Sequence, residues 1–187
     1  MELLDALRSR VSVGQLAEPG PSAAQLTQML EAALRAPDHG VLRRTRFMVV
    51  SGADRARLGD WFVAAQLAQQ PETSAAACAK LRSNPLRAPT ILIVVADVLT
   101  GDRIPVIDQV LTAGAAAQNI LLAAHGMGLG AMWRTGDMAT NPHLKRQLGF
   151  SEQAEIVGFL YLGTPSGSVK KVPAEEVGPY LRALPHD

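Results

Sequence analysis

Apolar residues first recur at Leu3, Leu4 and Leu7, one face of a short helix over residues 1–8. Pro19-Gly20-Pro21 then breaks the chain. Ser22 opens a second helix, and Gln25 three residues on completes a capping-box pattern. Leu26, Met29, Leu30, Ala33 and Leu34 carry its apolar stripe. Pro37 stops it, because the residue before a proline is pushed out of the helical region. Residues 47–51 read as a strand. Residues 53–70 read as a helix carrying Leu58, Trp61, Phe62, Ala65 and Leu67, and 72–83 as a weaker one. Thr90-Ile-Leu-Ile-Val-Val-Ala96 is an unbroken apolar run rich in branched residues, which predicts a strand buried on both faces.

Residues 105–126 carry Val110, Ala113, Gly114, Ala117, Ile120, Leu121 and Ala124 as one stripe, and much of the rest is small or apolar. Such a helix needs burial on several sides, and its small residues admit another backbone closely. This fits a central helix at a subunit interface. Gly126, Gly128 and Gly130 end it, and 129–133 form a strand. Residues 141–148 form a short helix with Asn141 as cap and Pro142 at its first position. Residues 155–163 are the last strong strand, and beyond Thr164-Pro165 a polar, proline-containing tail shows little that suggests core. Strands and helices do not alternate cleanly, so the order favours α+β over a doubly wound α/β sheet. With no internal repeat and no linker, residues 1–187 read as a single domain.

Composition narrows the class. The chain has 187 residues, 48% apolar and 19% charged, enough for a real core. No uninterrupted apolar stretch reaches the roughly 18–20 residues of a spanning helix. The acidic, amphipathic N-terminus lacks the basic-then-apolar order of a signal peptide. Cys78 is alone and makes no internal disulfide, which suits a reducing compartment, the cytoplasm. A net charge of +1 gives no bulk attraction to nucleic acid or membrane.

Several chemistries are missing. There is no phosphate loop and no GxSxG elbow. Gly126-Met-Gly128-Leu-Gly130 follows a helix and enters a strand, the reverse of the dinucleotide fingerprint, so it reads as a helix stop. His39, His125, His143 and His186 are scattered without metal-ligand spacing. What remains is a dispersed set beside turns: Arg10 with Ser12, Arg35 with His39, and Trp133-Arg134-Thr135. Alone, Arg10 and Ser12 suit a solvated helix end, Arg35 suits the last carbonyls of a helix, and His39 suits a turn. Arg134, at the end of a buried strand, must find a partner or reach solvent. A nucleic-acid module built on Arg43, Arg44 and Arg46 is disfavoured by the charge balance and the lack of interleaved aromatics.

Taken together, the chain resembles the flavin reductase/nitroreductase family, in particular its shortest NAD(P)H nitroreductases. The matching segments are Arg8-Ser-Arg-Val-Ser12, Leu34-Arg-Ala-Pro-Asp-His-Gly40, Pro85-Leu-Arg-Ala-Pro89, Ala113-Gly-Ala-Ala-Ala-Gln-Asn-Ile-Leu-Leu-Ala-Ala124, Gly128-Leu-Gly-Ala-Met-Trp-Arg-Thr-Gly136 and Ile156-Val-Gly-Phe-Leu-Tyr-Leu-Gly-Thr-Pro165. The resemblance implies a mostly antiparallel sheet flanked by helices, in an FMN-binding homodimer with both flavins at the interface. It implies that Arg10, Val11 and Ser12 contact the phosphate and ribityl end. Trp133, Arg134 and Thr135 would hold the flavin and its phosphate from one side, with Arg134 supplying a rigid fork of donors. Arg35 and His39 would reach in from the partner. Ala123, Ala124, His125, Gly126, Met127 and Gly128 would meet the nicotinamide.

The implied chemistry is a ping-pong transfer of hydride from NAD(P)H to the flavin, then to a nitroaromatic, quinone or similar small electrophile. No amino-acid catalyst, metal, nucleic acid or membrane is needed. The sequence departs from the family at Val11, at Gly14 and Gln15 where a basic residue commonly stands, and at Arg43-Arg44-Thr45 where Gln-Pro-Trp is typical. These departures keep open a flavin-binding protein with little turnover, for storage, sensing or delivery.

Overall fold

The computed structural model describes residues 2–184. Its elements are α1 (Leu3–Ser9), β1 (Leu16–Ala17), α2 (Ala23–Ala33), β2 (Thr45–Ser51), α3 (Asp54–Gln69), α4 (Ala75–Ser83), β3 (Thr90–Ala96), α5 (Val106–Gly126), β4 (Gly130–Arg134), α6 (Asp137–Thr140), α7 (Pro142–Gln147) and β5 (Glu155–Pro165). The strands form one sheet in the order β1-β5-β3-β2, with β4 also on β5, and every pairing is antiparallel. This is the α+β architecture expected from the sequence.

β3 is buried at every position, so its side chains supply two cores by simple alternation. Ile91, Ile93 and Val95 face α3, α4, α6 and α7, meeting Leu58, Phe62, Met138 and Leu144. Leu92, Val94 and Ala96 face α2 and α5, meeting Met29, Ala113, Ala117 and Ile120. β5 serves the same two cores, but its register against β3 shifts between Val94 and Val95, where Gly158 and Ile156 are the successive partners. The extra residue, Val157, reverses the alternation. Ile156 therefore faces the first core, as do Phe159 and Tyr161.

Helix ends follow local chemistry. Ser22 Oγ accepts from the Gln25 N–H, and the Gln25 side chain accepts from the Ser22 N–H, the expected capping box. Asn141 Oδ1 accepts from the His143 and Leu144 N–H groups, while its Nδ2 donates to Ala65 and Gln69 of α3. One buried amide thus starts α7 and ties it to α3. At the end of α5, Gly128 has φ +77°, Leu129 N–H donates to the Ala124 carbonyl, and Gly128 N–H to the His125 carbonyl. That is a Schellman stop, which fits the reading of the glycine cluster.

Four features depart from the sequence reading. β2 starts at Thr45, two residues early, and β5 runs to Pro165. β1 and α6 span two and four residues, too short to carry a periodic signal. α5 buries only one side within the chain: Ile107 and Leu111 are about 60% exposed, and a Cβ at Gly114 would meet nothing within 4 Å. By length and composition α5 could cross a membrane, yet its other side is packed on β3, β5 and α2. The tail is not simply polar. Val169, Val172, Val177, Tyr180, Leu181 and Leu184 are all exposed along it. His186 lies outside the described residues.

Candidate active site

The N-terminal segment is drawn against the start of β4. Val13 N–H donates to the Ala131 carbonyl at 2.9 Å, and a Cβ on Gly130 would sit 2.6 Å from Leu16 Cδ2. A larger residue at Gly130 would have to displace the Leu16 side chain and crowd Val13 and Pro165. Nearby, Ser9 Oγ lies 2.9 Å from His125 Nε2 and joins the end of α1 to the end of α5. Arg10, Val11 and Ser12 therefore run past the C-terminal end of α5 and the start of β4.

Beside them lies a groove of about 700 Å³, lined by Arg8, Arg10, Val11 and Ser12 on one side and Lys170, Lys171 and Glu175 on the other. None of its four cations forms an ion pair among the described residues. Four unneutralised cations facing one carboxylate make an anion-attracting groove. Lys170 and Lys171 escaped the sequence reading because the segment was taken only as a polar tail. The adjacent basic pair was the available signal. At the end of α5, Gly126 and Gly128 have open space where a side chain would stand. Ala124 is buried, whereas His125 and Met127 are half-exposed.

The side chains of the Trp133-Arg134-Thr135 triplet leave β4 in different directions. The pleat of β4 turns neighbouring side chains to opposite faces. Trp133 joins the α5 face, where its indole N–H donates to the carbonyl of the bulged Val157 at 3.1 Å. A Cβ on Gly158 would collide with that indole, so Gly158 makes room for it. Arg134 points to the other face, its guanidinium 5.4 Å from the Tyr161 ring centre. It is absent from the groove that holds Arg10 and Ser12. Trp133 and Arg134 thus leave β4 on opposite faces, yet both border one cavity of about 390 Å³ together with Thr135. Thr135 lies beyond the strand and is exposed.

His39 stands at the other end of α5, and Arg35 follows the end of α2, where the Ala32 carbonyl accepts from Asn119 Nδ2 in the second half of α5. His39 Nδ1 is 3.1 Å from Asp108 Oδ2 in the first turn of α5. Asp108 and His125 are 17 residues apart, about 25 Å along a helix. Within one chain, His39 cannot meet the groove at Arg10. The loop after His39 holds two non-glycine residues at positive φ, Val41 and Arg43, both at 55°, a conformation that costs roughly 1–3 kcal/mol per residue. Arg44 is committed to Asp97 at 2.8 Å, and Arg46 lies 3.7 Å from the same carboxylate.

An antiparallel sheet with a central helix covered on one side and a cationic groove at that helix's end defines the class as an α+β protein. The chain belongs to the Nitroreductase family, whose family model matches residues 7–164. It is 39% identical over 165 residues to the Escherichia coli (strain K12) protein named "Putative NAD(P)H nitroreductase YdjA", covering 88% of this chain and 89% of that one. Among solved structures it is similar to a nitroreductase-like family protein from Bacillus cereus, with TM-score 0.83 and 20% identity over 98% and 96% of the two chains. It is also similar to a nitroreductase with bound FMN from Bacteroides fragilis, with TM-score 0.75 and 20% identity over 98% and 100%.

Proposed function

We propose that the protein is an FMN-dependent NAD(P)H oxidoreductase, a single domain over residues 1–187 acting as a cytoplasmic homodimer. Family membership supports the class. The observation that carries the reading is the groove where Arg10, Lys170 and Lys171 stand without ion-pair partners among the described residues, beside the Ser12 hydroxyl. A phosphate monoester fits this donor set, because cations and a short hydroxyl match its charge and its oxygens. We assign Arg10, Val11, Ser12, Lys170 and Lys171 to the phosphate end. Trp133 and Thr135 would flank the ring, and Arg134 would shape that wall from behind.

The uncovered side of α5 supports the dimer. Ile107, Leu111 and Gly114 lie at helical spacing on one stripe. Two copies of α5 crossing antiparallel would bring Arg35 and His39 of the second copy beside the α5 end of the first. The apolar tail residues would then cover the partner. Gly126 and Gly128 leave space for the nicotinamide, bordered by Ala123, Ala124, His125 and Met127. When bound, FMN supplies a two-step hydride relay, accepting from NAD(P)H and delivering to a nitroaromatic, quinone or similar electrophile by ping-pong kinetics. The chain itself binds, orients and shields.

A second reading, a flavin holder with little turnover, is favoured by the locked Arg44–Asp97 pair and the strained loop at Arg43. The test is to load the protein with FMN, remove the excess, record the absorption spectrum, and add NADPH or NADH without oxygen. Retained flavin absorption that bleaches rapidly supports the oxidoreductase. Retained absorption that persists supports the holder, and no retained absorption overturns both.

A further inference from the structure

On the sheet face away from α5 lies a cavity of about 390 Å³, a size that suits a small organic ligand. Its walls are apolar and partly aromatic. Phe62 and Phe159 meet edge to face at 5.4 Å, and Met132 and Met138 complete that side. Against them stand Arg134, Arg87 and Tyr161. Neither arginine forms an ion pair among the described residues. Two buried polar atoms of the lining lack any hydrogen-bond partner, Arg134 Nε and Asn84 Oδ1. Two unpaired guanidinium groups beside an apolar wall favour an anionic ligand, because a charge where water is scarce needs a counter-charge.

The geometry points to a binding site for a small aromatic carboxylate. The carboxylate would pair with the terminal nitrogens of Arg134, whose guanidinium already rests over the Tyr161 ring, and Arg87 would close on it from the exposed mouth. A planar guanidinium offers two parallel donors, which a carboxylate matches and a neutral amide does not. The aromatic body would lie against Phe62, Phe159 and the methionines, where ring and sulfur contacts are favourable. Burial holds the Tyr161 hydroxyl above its ordinary pKa, with Arg134 and Arg87 pulling the other way. Asp137, the carboxylate on this wall, is solvent-exposed and leaves the two arginines in excess.

The site is separate from the proposed flavin phosphate groove, because Arg10, Ser12 and Lys170 do not line it. Trp133 and Thr135 border it, so the two sites would be neighbours. Titration of the full-length protein with benzoate, followed by ligand-observed NMR and calorimetry, tests the idea with and without FMN. Saturable benzoate binding is expected, at least tenfold tighter than benzamide. Arg134→Gln should weaken it at least tenfold. Arg87→Gln, at an exposed position, should weaken it several-fold while leaving the circular dichroism spectrum unchanged. Absence of saturation at millimolar benzoate, equal binding of benzamide, or unchanged affinity in Arg87→Gln would overturn the proposal. So would displacement of benzoate by FMN, since the cavity would then belong to the flavin. Failure of the protein to retain FMN leaves the benzoate test intact and sinks only the two flavin readings.

Discussion

The sheet face bearing Ile91, Ile93 and Phe159 is closed by four helices of its own chain. The face bearing Leu92, Val94 and Leu160 is closed by α2 and α5, and α5 then leaves Ile107, Leu111 and Gly114 bare. One core is finished inside the molecule, and the other is backed by a helix that still has an apolar side to bury. The enclosed face holds its polar anomaly inside, at Arg134. The open face carries its cations at the helix end, beside solvent. A closed core serves stability, whereas a helix bare on one side is what the proposed dimer would cover.

The largest effect should come from the bare side. Leu111→Asp would set two carboxylates near each other across a two-fold contact. Like-charge juxtaposition costs several kcal/mol, so association should weaken by about a thousandfold or more. Sedimentation should find a monomer with unchanged far-UV circular dichroism, and FMN retention should fall with it. An unchanged dimer would place the interface elsewhere and break the comparison.

Truncations on the two faces sharpen it. Ile93 and Leu160 are both fully buried, and cutting either to alanine should cost about 2–5 kcal/mol. The two should differ in concentration dependence. Dilution should lower the melting temperature of Leu160→Ala much more than that of the parent, because that core leans on an assembled helix. Ile93→Ala should keep the parent's dependence on dilution. Identical responses would mean that both faces are finished within the chain.

A third effect acts at the bulge that joins the faces. Gly158→Ala would drive a methyl into the Trp133 indole and strain its bond to the Val157 carbonyl. Overpacking of this kind costs about 1–3 kcal/mol. Tryptophan fluorescence should shift to the red as the indole gains water, and FMN retention should weaken. Unchanged emission would show that β5 absorbs the methyl elsewhere.

Much of this was legible in the sequence, for reasons visible in particular residues. Thr90–Ala96 announced its burial because both of its faces are core. Ser22 with Gln25, and Asn141 with Pro142, announced their helices because caps act over three or four residues. The α+β class followed from element order, and the antiparallel sheet from the family resemblance. What escaped depends on contacts distant in the chain. The family resemblance groups Trp133 with Arg134, and only the folded strand shows that the pleat turns them to opposite faces. Lys170 and Lys171 gain meaning only when the tail folds back toward Arg10, about 160 residues earlier. The bulge at Val157 reverses a pattern that looks continuous along residues 155–163. His39 lies far from the groove within one chain, so its role rests on the two-fold argument.

The smallest effect should come from a cap. Ser22 starts α2, which buries Met29 and Ala33 against α5. Ser22→Ala removes the oxygen that accepts the Gln25 N–H, and such caps contribute about 1 kcal/mol. The reciprocal bond from the Gln25 side chain to the Ser22 N–H survives, which keeps the loss near the lower end of that range. Because α2 supports α5 from the inside, its fraying should loosen the helix that presents Ile107 and Leu111. Chemical denaturation should therefore show a small loss of stability, and sedimentation a modest weakening of the dimer in the same variant. A stability loss with no change in association would show that the cap serves α2 alone, and that the bare side of α5 is held in place by the sheet.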